Sequence, residues 1–145
     1  MNMMQRIVLL IVLVLILTAN SAVAATSEKE SAAVISAEKW LGMVDSGKYA
    51  ESWKEAAELF KNAVKQKQWI RSLHAVRKPL GKLVARQINT KAYMTSLPGT
   101  PDGEYVVIQF ETSFENKKSA IETVTPMMRI PFDVATQFRC NPPPN

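Results

Sequence analysis

The hydrophobic period of the chain changes at Pro79-Leu80-Gly81, and this change constrains the fold more than any other feature. Before it, apolar side chains recur every three or four residues, the repeat of a helix that buries one stripe. After it they recur every second residue, the repeat of a strand that buries one face. A chain that switches once, from helices to strands, has to stack the first on the second, because neither can bury its apolar side alone.

Ala33, Ala37, Trp40, Leu41 and Val44 form the first stripe, over 31–44, and Ser46-Gly47 stops it. Tyr49, Trp53, Ala56, Phe60 and Val64 form a second, backed by Glu51, Lys54, Glu55, Glu58 and Lys61, which predicts one helix over 49–64. Trp69, Leu73 and Val76 predict a third helix that breaks at Pro79, since proline disfavours helical geometry in the residue before it. Val84, Ile88, Ala92 and Met94 then read as one strand, and the turn residues Pro98-Gly99 and Pro101-Asp102-Gly103 reverse the chain. Val106, Ile108, Phe110 and Phe114 give a second strand with one apolar face. A third is expected from Ala120 to Met127, ending near Pro126. The fold class is therefore α+β, with three N-terminal helices packed on a curved antiparallel sheet. Residues 129–145 have no period and close on Pro142-Pro143-Pro144. They are expected to be an atypical, disordered tail holding at most a short strand around Phe132 to Phe138, so that the C-terminal strand of the sheet is missing.

Residues 1–24 read as a signal peptide: Arg6, an apolar run from Ile7 to Leu17, then Ala22-Val23-Ala24 as the cleavage pattern. The run is well short of the ~20 residues a membrane-spanning helix needs, so no stable anchor is expected after cleavage. The expected location is periplasmic or secreted. Losing Arg6 takes the formal net charge from +5 to +4. The one cysteine, Cys140, cannot form an internal disulfide, which leaves packing to hold the mature domain together.

Between Lys61 and Lys91 stand nine basic side chains and no acidic one: Lys61, Lys65, Lys67, Arg71, Arg77, Lys78, Lys82, Arg86 and Lys91. An anionic partner is one reading; a solvated face balanced by the acids between Glu28 and Glu58 is the stronger one. Nucleic acid is not expected, because no aromatic residues interleave with the basic ones for stacking. Each of Trp40, Trp53 and Trp69 falls on a helical stripe and reads as core. His74, the only histidine, reads as a partly buried structural residue and excludes a multi-histidine metal site. No catalytic motif, metal site or cofactor is expected.

Trp40-Leu41 with Asp45 and Gly47, Tyr49 with Ser52-Trp53, Trp69, Arg77-Lys78-Pro79-Leu80-Gly81, Arg86, Leu97-Pro98-Gly99 and Asp102-Gly103-Glu104-Tyr105 together closely resemble the bacterial domain-of-unknown-function family 4019 (DUF4019). The resemblance runs from about Ala33 to Pro126, within a domain placed at 25–128. It implies a small exported domain with a cystatin-like cone of the nuclear-transport-factor-2 kind, and no settled activity. Beyond Met128 the chain departs from the family's pattern, which a frameshift in the coding DNA would explain.

The expected function is that of a non-catalytic envelope domain whose partner is an envelope protein or an anionic ligand, with a tendency to self-associate. Arg77, Arg86 and Lys82 are the candidate ligand contacts. The architectural alternative, which the sequence favours, has Pro79 and Gly81 shape the helix-to-strand turn while the arginines pair with acids of the first two helices. The alternative of another class is a cone-pocket enzyme of isomerase or dehydratase type acting on an apolar small molecule, with Asp45, Tyr93 and Tyr105 as the groups that would have to converge.

Overall fold

Gly81 ends the last helix and opens the first strand. The computed structural model describes the backbone of residues 3–128 and 137–140 and the side chains of residues 23–128. The helices are α1 (Met3–Asp45), α2 (Tyr49–Lys54), α3 (Glu58–Ala63) and α4 (Gln66–Leu80). The strands are β1 (Leu83–Met94), β2 (Glu104–Phe114), β3 (Lys117–Met128) and β4 (Gln137–Cys140). The strands form one antiparallel meander in the order β1-β2-β3-β4.

The first stripe is buried as its spacing predicts, with Ala33, Ala37, Trp40, Leu41 and Val44 at 0–2 % exposure. The helix that carries it stops where Gly47 takes φ +74°, so that the Gly47 and Lys48 amides bond back to the Val44 and Met43 carbonyls at 3.0 and 2.9 Å, satisfying its last acceptors. The second stripe departs from expectation: the single helix over 49–64 is two short ones. Ala57 turns to φ −56°, ψ 145°, and both Ala56 and Ala57 are 2 % exposed. The Trp53 indole N–H donates to the Val64 carbonyl at 2.8 Å, tying α2 to the end of α3. Burial of two adjacent alanines, one helical step apart, is a tertiary demand that a stripe pattern does not reveal.

The third helix passes through Pro79 instead of stopping before it. Its exposed end is completed from outside: the Asn116 side chain donates to the Pro79 carbonyl at 3.1 Å and the Asn116 amide to that of Leu80 at 3.0 Å. Gly81, at φ +75°, lies so close to this β2–β3 turn that an added Cβ would meet Glu115 Oε2 at 2.8 Å. Two independent constraints, backbone conformation and space, therefore select glycine there.

The sheet departs from expectation in β1. Val84, Ile88 and Met94 are 65, 43 and 42 % exposed, and the alternation is interrupted twice. Register shifts at Leu83/Ala85 and Ile88/Thr90 insert an extra residue each, and the second puts Ile88 and Ala92 on opposite faces. Arg86, opposite Thr112, and Tyr93, opposite Val106, are the half-buried residues of the inward face, which Ile88, opposite Phe110, shares. Beyond β3, Gln137–Cys140 pairs with Val124–Met127, so a fourth strand is present and Pro126 lies within a paired segment. Residues 129–136 and 141–145 of the expected tail lie outside the described residues.

Val106, Ile108, Phe110 and Val124 on the sheet meet Trp40, Leu41, Val44, Phe60, Trp69 and Leu73 from the helices in one core. Each large apolar side chain buried there stabilises the fold by ~1.5–3 kcal/mol. The tryptophans are core residues, as their stripes predict, and the polar anchor among them is Ser52, at 0 % exposure. Its carbonyl accepts from Trp40 Nε1 at 2.8 Å and its hydroxyl from Trp69 Nε1 at 3.1 Å, while that hydroxyl donates to the Tyr49 carbonyl at 2.9 Å. One small residue, through its carbonyl and its hydroxyl, thus satisfies two indoles.

Candidate functional site

Two of the three candidate ligand contacts meet in one cluster. Arg77 comes from the last turn of α4 and Arg86 from the inward face of β1; between them lie Asp45, at the end of α1, and Glu122, on β3. Arg77 donates to Asp45 Oδ1 at 3.1 Å and to Glu122 Oε1 at 2.6 Å. Arg86 bonds Asp45 through both terminal nitrogens, at 2.7 and 3.1 Å, and Glu122 through Nε at 2.7 Å. Thr112 adds its hydroxyl to Glu122 Oε2 at 2.7 Å. All four charged side chains are 11–16 % exposed, and their charges cancel.

Burial works to lower the pKa of Arg86, but its hydrogen bonds to Asp45 and Glu122 outweigh that and raise it. The Arg77 guanidinium also lies over the Phe114 ring, 5.1 Å from its centroid. Fork-shaped donors matched to two carboxylates make this a clamp joining α1, α4, β1 and β3. The architectural alternative accounts for Arg77 and Arg86, with one correction: the second acid comes from a strand, not from a helix. Glu122 was legible in principle, since an acid between the inward residues Ala120 and Val124 requires a partner.

Lys82 is not part of the clamp. Its backbone N–H donates to Glu115 Oε2 at 2.8 Å, and its side chain lines a cleft of about 400 Å³ beside Tyr49, His74, Lys78, Leu83 and Phe114. Arg77 and Asp45 form one wall of that cleft. A second cleft, of about 230 Å³, borders Arg86 and Thr112 together with Gln87 and Lys118. His74 is exposed, not partly buried, and meets the Tyr49 ring edge-on at 4.9 Å.

The groups required by the cone-pocket enzyme do not converge. Asp45 is held in the clamp. The Tyr93 hydroxyl donates to Glu104 Oε1 at 2.6 Å, and the Lys29 ammonium donates to the same oxygen while lying 5.1 Å from the Tyr93 ring centroid. The bond from Lys29, and next that from Tyr93, hold Glu104 below the usual carboxylate range; Glu104 in return raises the pKa of both donors. Tyr105 faces the other side of the sheet, since Tyr93 pairs with its neighbour Val106, and its hydroxyl donates to the Pro101 carbonyl at 2.5 Å. Among the described residues no group of three His, Cys, Asp or Glu side chains could hold a metal ion.

The nine basic residues divide cleanly. Lys61 pairs with Glu58 at 2.6 Å, Lys91 with Glu30 at 3.6 Å, and Arg77 and Arg86 sit in the clamp. Lys65, Lys67, Arg71, Lys78 and Lys82 have no acidic partner among the described residues.

Fold and site define a small α+β domain, four helices against an antiparallel sheet, closed by an internal ion clamp and carrying unpaired cations on its last helix. Residues 36–133 match a family described as protein of unknown function (DUF4019), and because that match covers more than half of the chain, the protein belongs to this family. No curated protein and no solved structure matches it.

Proposed function

We propose that the protein is an exported, non-catalytic binding domain of the cell envelope that takes an anionic partner. The observation that carries this reading is the division of charge: Asp45, Tyr93 and Tyr105, the groups an enzyme reading needs, are each tied to a neighbour, whereas five cations of the basic segment have no acidic partner among the described residues. The candidate contacts accordingly move from Arg77 and Arg86, which serve the clamp, to Lys82 and the unpaired cations of α4.

Export rests on the N-terminal segment together with where the core begins. Among the described side chains of α1 the first buried one is Ala33, Val23 is 72 % exposed, and the Lys29–Glu104 pair lies beyond Ala24. Cleavage after Ala24 therefore removes none of these contacts. No helix among the described residues is long and apolar enough to cross a membrane. Mass spectrometry of the protein from its native host should find a mature N-terminus at Ala25 in the periplasmic or secreted fraction. Intact Met1 on protein confined to the cytoplasm would refute export.

A further inference from the structure

We infer that the outer face of α4 is a docking ridge for a linear polyanion, an inference that rests on the proposed anionic partner and specifies its chemistry. α4 contains no acidic residue in its 15 positions. Lys67, Arg71, His74 and Lys78 stand at i, i+4, i+7 and i+11, which at 3.6 residues per turn places them within a sector of about 60°. All four are exposed. Trp69 and Leu73, the buried residues of α4, lie on its other side and hold that face to the core.

The ridge is about 16 Å long at 1.5 Å per residue, and Lys82, just past Gly81, extends it into the larger cleft. Lys67, Arg71, Lys78 and Lys82 have no ion pair and no side-chain hydrogen bond among the described residues. Lys29, Lys61, Lys91, Arg77 and Arg86 all have acidic partners. Lys39, Lys48, Lys54, Lys65, Lys117 and Lys118 also lack an ion pair among the described residues, but they are spread over segments outside α4, whereas the unpaired cations of α4 stand in single file.

Single file is the geometry of a chain-like ligand. Steps of about 4.5–6 Å along the helix axis suit a polymer bearing one negative charge per repeat unit. A membrane surface would call for a broader basic patch flanked by apolar side chains that can insert. The exposed apolar residue of α4, Val76, lies about half a turn away from the ridge. No Phe, Tyr or Trp stands on the ridge to stack a base.

The test uses the full chain with inorganic polyphosphate tens of units long, measuring affinity as a function of salt. Four lysine and arginine contacts predict a log–log salt slope of about −3. The Lys67→Gln/Arg71→Gln/Lys78→Gln variant should bind at least about tenfold more weakly, with a slope near about −1. Tripolyphosphate, too short to span the ridge, should bind the unaltered protein at least about tenfold more weakly than the long chain. The Lys29→Gln/Lys61→Gln/Lys91→Gln variant removes the same charge from paired sites and should bind like the parent. If it weakens binding as much as the ridge variant, if long polyphosphate is not bound, or if phosphatidylglycerol vesicles bind more tightly than polyphosphate, the ridge proposal is overturned. Thermal melting followed by circular dichroism checks that the variants fold; should the triple variant fail, Lys67→Gln/Lys78→Gln is read by the same criteria. The N-terminus found in the cell is independent of these measurements. A cytoplasmic protein that binds polyphosphate through the ridge would therefore sink only the export reading, and an exported one that does not bind would sink only the ridge.

Discussion

Arg86 occupies an inward position of a strand, where a cation is costly unless something meets it. Asp45 and Glu122 meet it, each shared with Arg77. Removing one member leaves a half-buried carboxylate facing less charge than it was built against, so Arg86→Ala should destabilise the protein by about 3 kcal/mol in chemical denaturation. Arg86→Lys should recover only part of that, because a single ammonium cannot bond both carboxylates in the fork geometry of a guanidinium. A change of less than about 0.5 kcal/mol for Arg86→Ala would mean that the clamp holds nothing together. Arg77 and Arg86 stand out in the sequence, but their partners do not. Glu122 reaches Arg86 only because β1 pairs β2 at Arg86–Thr112 and β2 pairs β3 at Thr112–Ala120. That register joins residues 36 positions apart, and local sequence does not encode it.

At the scale of elements, α1 is tied to the β1–β2 hairpin by Lys29, Glu104 and Tyr93. The folded-state pKa of Glu104 is depressed, so its contribution is present above the unfolded carboxylate value and is lost as pH falls through the lower folded one. Those of Lys29 and Tyr93 are raised, so their contributions are present below the unfolded values and are lost as pH rises through the higher folded ones. The melting temperature of Glu104→Gln should therefore lie below that of the parent by a constant amount between about pH 5 and pH 9.5, with the gap closing below about pH 4 and above about pH 10.5. A gap independent of pH from 3 to 11 (about the whole accessible range) would refute the assignment. The elements themselves were partly legible. The stripes of α1 and α4 and the apolar face of β2 follow from local periodicity, whereas the break between α2 and α3 and the two bulges of β1 do not. The break serves burial of Ala56 and Ala57 and the Trp53–Val64 bond. The second bulge lets β1 turn Tyr93 inward where the apolar alternation names Ala92 and Met94, while Arg86 faces inward in phase with Ile88.

For the whole molecule, the described contacts of α1 begin beyond the predicted cleavage point, and a chain starting at Ala25 should melt within about 2 °C of the full chain, the shift expected from well under 1 kcal/mol in a domain of this size. A drop of more than about 8 °C, as from a loss of 1–2 kcal/mol, would show that residues 1–24 belong to the fold and would count against their removal. Self-association, expected on the ground of a missing strand, loses part of that ground at β3, where Val124–Met127 pair with β4. At the β1 edge of the sheet two bulges and Lys91 interrupt the flat ladder that another chain would extend.

By itself the sequence determined the α+β class, the helix-to-strand order, the burial of the first stripe and of Trp69 and Leu73, the glycine at the turn and the family, because each is carried by periodicity or by residues adjacent in the chain. Only the tertiary structure decided what the charges do. Whether a basic residue meets an acid depends on strand register and helix packing that join distant segments, and those contacts neutralised Arg77 and Arg86 while leaving Lys67, Arg71 and Lys78 in a row facing outward.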